Sequence, residues 1–230
     1  GGKSANMIFD SASIDRALDG ALAGIFGNNG QQCLAGSRIL VHEKIAKQFI
    51  ERFVARAQKI RLGDPLLATT EVGPLAFKAH LERVLSYVDV AKADGAKLLV
   101  GGKRAVDFGR GYFMEPTAVM APANDSRVCQ EEIFGPFATF LTFSSLNEAI
   151  QIASSSKFGL VSYVWSDDVN TVMRCSREIR AGTVWVNTPM MRELRAPFGG
   201  YRESGIGRDG PQASLEFFTE LKSTIIPIDP

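Results

Sequence analysis

Cysteine, histidine and tryptophan are scarce in this chain: among 230 residues there are three Cys, two His and two Trp. Cys33, Cys129 and Cys175 are odd in number and widely spaced, with no CxxC pair. That argues against a disulfide scaffold and against any metal site of the zinc type, and makes a reducing, cytoplasmic compartment the better expectation. An excess of one charge is also missing. With 26 basic and 25 acidic residues the net charge is +1, and no basic tract marks a nucleic-acid footprint. No run approaches the ~18 apolar residues that a membrane helix requires. The opening Gly1-Gly2-Lys3-Ser4 has no initiator Met, no basic n-region and no apolar h-region, so no signal peptide is expected in these residues. Strand-like sequence follows almost at once, and the chain is expected to be a fragment of something longer. The composition, 45% hydrophobic and 22% charged, is that of a globular chain able to bury one large core or two small ones.

Strand and helix signals alternate from end to end. Asn6 to Phe9 predicts a strand, and Ser13 is placed to cap the helix after it. Ile14, Ala17, Leu18, Ala21, Leu22, Ile25 and Phe26 recur at helical spacing, until Gly27-Asn28-Asn29-Gly30 breaks it. Further strands are expected over Arg38–His42, Lys97–Val100, Phe113–Met120, Phe137–Phe143, Leu160–Trp165 and Thr183–Val186. Helices are expected over Lys44–Ile60, Leu75–Ala93, Leu146–Ala153 and Val169–Ile179. One or two helical turns at Gln212–Phe218 precede a last extended segment, Lys222–Ile228. Strands such as LVSYVW and TVWVN are apolar on both faces. The pattern predicts an α/β fold, a mostly parallel sheet covered by helices. The stretch from Asn187 to Arg208, rich in Gly, Arg and Pro, is the kind of long loop that carries function.

One cysteine stands apart. Gly30-Gln31-Gln32-Cys33-Leu34-Ala35-Gly36-Ser37-Arg38 joins a helix to a strand, so Cys33 sits on a Gly-flanked turn where backbone N–H groups can face a bound group. That suits a thiolate that attacks a carbonyl and needs donors for the oxygen that becomes negative. A lone Cys in a loop is also often just a small buried residue.

The surroundings of Cys33 resemble the active-site segment GQxCxAxxR of the aldehyde dehydrogenase superfamily. Three more stretches match in order. Gly1-Gly2-Lys3-Ser4 is similar to the end of the family's ELGGKSP segment. Glu131-Glu132-Ile133-Phe134-Gly135-Pro136 matches its EEIFGP. Pro197-Phe198-Gly199-Gly200, Ser204-Gly205 and Gly207-Arg208 match its PFGGxKxSGxGRE, with Arg202 and Asp209 as departures. The resemblance implies NAD- or NADP-dependent oxidation of an aldehyde through a Cys33 thioester, with the backbone N–H of Cys33 helping to hold the oxyanion. It implies that Glu132 bonds the hydroxyls of the nicotinamide ribose and that Phe134 packs on the nicotinamide. It implies a catalytic domain over residues 1–208 and an arm with an oligomerisation strand over 209–230, in a homo-oligomer, dimer or tetramer. The family's general-base Glu would lie two residues before Gly1, and its oxyanion-hole Asn and cofactor-binding domain further upstream. The 230 residues alone are therefore expected neither to oxidise aldehydes nor to bind dinucleotide tightly. Leu75 stands where the family often has a polar residue, with loss of one cofactor-side hydrogen bond expected.

Arg192 and Arg195 precede PFGG. Two arginines beside an aldehyde site would be costly unless they met an anion, and a guanidinium forks onto carboxylate. RELRAPFGG is similar to the RDLR-PFGG form of dehydrogenases of carboxylated semialdehydes, such as 2-hydroxymuconic semialdehyde and its carboxymethyl relative. Pairing of either arginine with Glu193 or another surface acid is the plainer alternative. Cys175, Trp165 and Trp185 are expected in the core, Cys129 is expected to be structural, and Lys3 is a candidate support for the site. Neither His42 nor His80 is placed to serve Cys33 as a base. Three other readings remain open: a cysteine hydrolase or acyltransferase, which would leave EEIFGP unexplained; a non-catalytic interaction remnant; and a CoA-acylating or phosphorylating member of the same family.

Overall fold

A computed structural model describes residues 1–105 and 108–228. Its centre is a seven-stranded sheet, built from β1 (Ala5–Ile8), β2 (Arg38–His42), β3 (Lys97–Val100), β4 (Thr117–Met120), β5 (Phe137–Phe143), β7 (Val161–Trp165) and β8 (Thr183–Val186) in the order β3-β4-β5-β2-β1-β7-β8. All neighbours are parallel except the edge pair β3–β4. A second, two-stranded sheet pairs β6 (Phe158–Gly159) with β9 (Tyr201–Arg202).

The apolar strands have two faces to bury, and side chains alternate between them. Ile8, Ile39, Val41, Ala138 and Phe140 meet α1 (Ile14–Phe26) and α2 (Glu43–Ala57) on one face. Phe53 packs edge-on against Phe140 at 5.0 Å and beside Phe26 at 5.8 Å, contacts worth about 0.5–1.5 kcal/mol each beyond their burial. Met7, Leu40, Phe137, Leu141 and Phe143 fill the other face, under α3 (Lys78–Ala93), α4 (Arg127–Gln130), α5 (Leu146–Ser154) and α6 (Val169–Glu178).

Most of the expected elements are present, some with adjusted ends. α1 starts after Ser13, whose side chain makes no capping bond, and it stops where Asn28 and Asn29 take left-handed φ of 47° and 58°. α3 starts at Lys78 rather than Leu75, because the Leu75 N–H bonds to Tyr112 O and its side chain is buried in the core. The strand expected over Phe113–Met120 begins at Thr117. α7 (Pro211–Phe218) is a short helix with no buried residue. Lys222–Ile228 forms no strand, and Ile225, Ile226 and Ile228 are exposed. Residues 106–107 of the expected catalytic part and 229–230 of the expected arm lie outside the described residues. Among the described residues no helix is long and apolar enough to cross a membrane.

Candidate active site

Parallel strands bring their amino ends together, and the registers Ala5↔Arg38, Arg38↔Thr139, Ala5↔Ser162 and Val161↔Thr183 put five of them level. Gly2, Cys33, Glu132–Gly135 and Leu160 each precede one of these strands. These segments, far apart in sequence, therefore meet at the amino end of the sheet. In open α/β sheets the common site lies beyond the carboxyl ends; this one gathers at the opposite end.

Cys33 and Leu34 are the central residues of a turn closed by Ala35 N–H donating to Gln32 O at 3.1 Å. Cys33 is half-buried, against Leu160, Val161 and Tyr163. Tyr163 donates its phenol to Leu34 O at 2.7 Å, and burial, with Cys33 nearby, holds that phenol above its usual pKa and so neutral. Among the described residues neither the Cys33 nor the Leu34 N–H has an acceptor. Such undonated N–H groups beside a thiol are what a developing oxyanion needs.

Glu132 and Phe134 share the loop before β5, and α3 holds it. Arg83 forks onto Glu132 O (2.8 Å) and Ile133 O (2.9 Å), and His80 Nε2 lies 2.7 Å from Phe134 O. Those bonds stabilise a strained residue: Phe134 has φ of 62°, with its ring partly exposed, and a non-Gly residue there costs about 1–3 kcal/mol. Gly2 joins this loop to the thiol. Its N–H donates to Glu132 Oε1 at 2.8 Å, while a side chain on it would meet Cys33 O at 2.7 Å. Glu131 faces elsewhere, bonded by Tyr87 and Arg127.

A cavity of about 300 Å³ opens beside Leu34, floored by Trp185 and Phe198 and walled by the loop Met190–Pro197. Trp185 is half-buried, not core as expected: it stacks on Tyr163 at 5.3 Å and donates to Met191 O at 2.9 Å. The structure separates the two arginines. Arg192 borders the cavity and forms no ion pair among the described residues. Arg195 is turned outward and pairs with Glu193 at 2.8 Å, which draws the Glu193 carboxyl down to about 2. Of the departures from the family motif, Arg202 bonds Ser154 O and Ser156 O, Asp209 exchanges two backbone bonds with Phe198, and the Leu75 side chain is buried in the core.

The remaining candidates fall outside the site. Burial pushes the Cys129 thiol up to about 11 and Cys175 to about 12; such thiols are poor nucleophiles. Trp165 is buried, its Nε1 on Asn6 Oδ1. His42, at the carboxyl end of β2, accepts from Lys44 N at the start of α2, and His80 is taken by Phe134 O. Lys3 is buried, its Nζ has no hydrogen-bond partner among the described residues, and burial lowers its pKa to about 7. Sequence reasoning missed Tyr163, Arg83 and the site role of Trp185. For Arg83 a signal existed: a charge three residues after His80, which makes the two neighbours on the helix surface.

Residues 1–224 match the model of the Aldehyde dehydrogenase family. The chain is 41% identical over 228 residues to betaine aldehyde dehydrogenase of Brucella anthropi, covering 98% of this chain and 47% of that protein. It superposes on a putative aldehyde dehydrogenase of Burkholderia cenocepacia with a TM-score of 0.94 and 47% identity, over 96% of this chain and 45% of that one. For betaine aldehyde dehydrogenase of Staphylococcus aureus in complex with NAD+ the TM-score is 0.93 and the identity 43%, over 95% and 44%. The chain thus spans about half the length of the relatives it matches. Three motifs gathered at the amino end of the sheet, Phe198 of the fourth lining a cavity with Leu34, and a family match over nearly the whole length lead to one conclusion: the chain belongs to the aldehyde dehydrogenase family.

Proposed function

We propose that these residues form the catalytic part of an NAD- or NADP-dependent aldehyde dehydrogenase in which Cys33 is the nucleophile. The observation that carries this reading is the position of Gly2, in contact with both the Cys33 carbonyl and the Glu132 carboxylate. It sets the thiol and the proposed cofactor loop side by side. The residues fit such a cofactor: Glu132 Oε2 accepts nothing among the described residues, and an acceptor-only carboxylate suits two ribose hydroxyls. Phe134 offers a ring on a backbone fixed by Arg83 and His80. NAD+ is the ligand of the S. aureus relative; when bound, it supplies the hydride acceptor.

The chain's own groups have three tasks. The Cys33 thiolate forms a bond to the aldehyde carbon, giving a thiohemiacetal. The free N–H groups of the turn stabilise its oxygen. Oxidation to the thioester is followed by attack of water, which releases a carboxylic acid and restores the thiol. We assign the aldehyde to the class of carboxylated semialdehydes, because Arg192 borders the cavity with no carboxylate paired to it among the described residues. Residues 1–208 act as the catalytic unit, and the arm over 209–230, with Phe217, Phe218, Ile225 and Ile226 exposed, pairs with a neighbouring subunit in a homo-oligomer.

The test is Cys33→Ala in the whole protein. NADH formation from an aldehyde falls by at least about a thousandfold, as for loss of a covalent nucleophile, and the wild-type product is the free acid rather than an acyl-CoA. Turnover of the variant within tenfold of wild type would refute the reading.

A further inference from the structure

Tyr163 and Trp185 are direct neighbours on β7 and β8. Their rings stack at 5.3 Å with 22° between planes. The polar end of each ring leaves the stack toward a different loop. The Tyr163 O–H donates to Leu34 O, in the turn that carries the thiol, and the Trp185 N–H donates to Met191 O, in the loop that walls the cavity. The Leu34–Ala35 peptide is held at both ends, its C=O by Tyr163 and its N–H by Gln32 O. No other side chain of the described residues bonds the backbone of Cys33 or Leu34. A neutral phenol is a donor, and a buried one bonded at 2.7 Å is fixed in direction.

We propose that Tyr163 is a positioning residue for Cys33, and that its stack on Trp185 sets the thiol-bearing turn in register with the loop that binds the substrate. The proposal deepens the dehydrogenase reading, on which its kinetic arm rests. Tyr163 acts on the nucleophile and Trp185 on the substrate loop, so removing each bond has a different signature.

Tyr163→Phe keeps the ring and deletes one O–H. In the whole protein kcat falls about tenfold with KM within twofold, and Trp185→Phe raises KM about tenfold with kcat within twofold. Alkylation of Cys33 by iodoacetamide is followed beside these across pH 6–10, because it needs no turnover. Tyr163→Phe shifts the midpoint of that profile by at least 0.3 unit, as the freed turn lets its peptide groups reorient around the sulfur (~twofold in the thiolate equilibrium), and Trp185→Phe leaves it in place. An unchanged profile in Tyr163→Phe overturns the proposal even if the enzyme oxidises aldehydes. A shifted profile supports it even if no aldehyde is oxidised, in which case the dehydrogenase reading alone fails. Should Tyr163→Phe not fold, Trp185→Phe decides: a loss in kcat with KM unchanged overturns the separation of roles, and the KM change supports it.

Discussion

A methyl group on Gly30 would lie 2.0 Å from the carbonyl oxygen of Gly135. That approach packs the turn leading to Cys33 against the loop leading from Glu132, and Gly30 makes it in the left-handed region at φ of 67°. Gly30→Ala meets both the strain and the clash. Gly95, at φ of 82° with nothing within 4 Å of a built Cβ, meets the strain alone. Gly95→Ala is expected to cost about 1 kcal/mol and Gly30→Ala more than about 3 kcal/mol, a further fall of at least about 4 °C in Tm for a chain of this size. Equal melting points for the two variants would mean that the two loops are free to separate.

The Arg83 fork predicts a second asymmetry. Arg83→Ala leaves the carbonyls of Glu132 and Ile133 without their donors, at a cost of about 1–3 kcal/mol in stability. It also weakens dinucleotide binding to the whole protein about tenfold, because Phe134 is no longer held at positive φ. Arg83→Lys restores little, since one ammonium cannot span two carbonyls as a planar fork does. Chemical denaturation and a cofactor titration check both effects, and a lysine variant equal to wild type sinks the account.

Lys3 gives a pH signature. Burial lowers its pKa in the folded chain to about 7 from its ordinary 10.5, while the unfolded chain keeps the ordinary value. Between these limits the unfolded state binds more protons, so this group makes stability rise with pH, by up to about 1.4 kcal/mol per unit. Below pH 7 both states carry the proton and the burial penalty is present in full. Lys3→Met removes the titration and keeps an unbranched side chain. Its stability relative to wild type is expected to be greatest at pH 6 and to shrink steadily toward pH 10. Urea unfolding of both proteins across that range measures the difference; a constant difference excludes a buried, neutralised amine.

Four strands were legible to the residue: Arg38–His42, Lys97–Val100, Phe137–Phe143 and Thr183–Val186. Each is a short apolar run with Gly or Pro within two residues before it, and local pattern suffices for that. α3 starts three residues later than the apolar spacing suggests, because Leu75 continues that spacing while its backbone bonds elsewhere. β6 and β9 have two residues each and exist only through each other, which no local pattern encodes. For the candidate site, the motifs pointed to Cys33, Glu132 and Phe134, and Gly2 links the loops that carry them. Tyr163 was not legible: on a strand apolar on both faces a tyrosine looks like core until its partner, 129 residues away at Leu34, is known.

Arg192 and Arg195 lie three residues apart in sequence but in different surroundings. Arg195 is 87% exposed and bonded to Glu193, and exposed pairs of this kind contribute little. Arg192 borders the cavity beside Trp185, where a carboxylate on the aldehyde could take both arms of its guanidinium. With a carboxylated semialdehyde, Arg192→Ala is expected to lower kcat/KM about 10–100-fold, and with a neutral aldehyde of equal length to change it less than twofold. Arg195→Ala is expected to act indirectly. It releases Glu193, which also lines the cavity, and an unneutralised carboxylate there repels an anionic substrate. Its effect is a loss of less than about fivefold, confined to the acidic aldehyde and screened away as salt is raised. The Arg192 loss survives the same salt, since a forked hydrogen-bonded pair is not a long-range charge effect. Equal losses on acidic and neutral aldehydes would remove Arg192 from substrate recognition and leave the cavity selecting by shape alone.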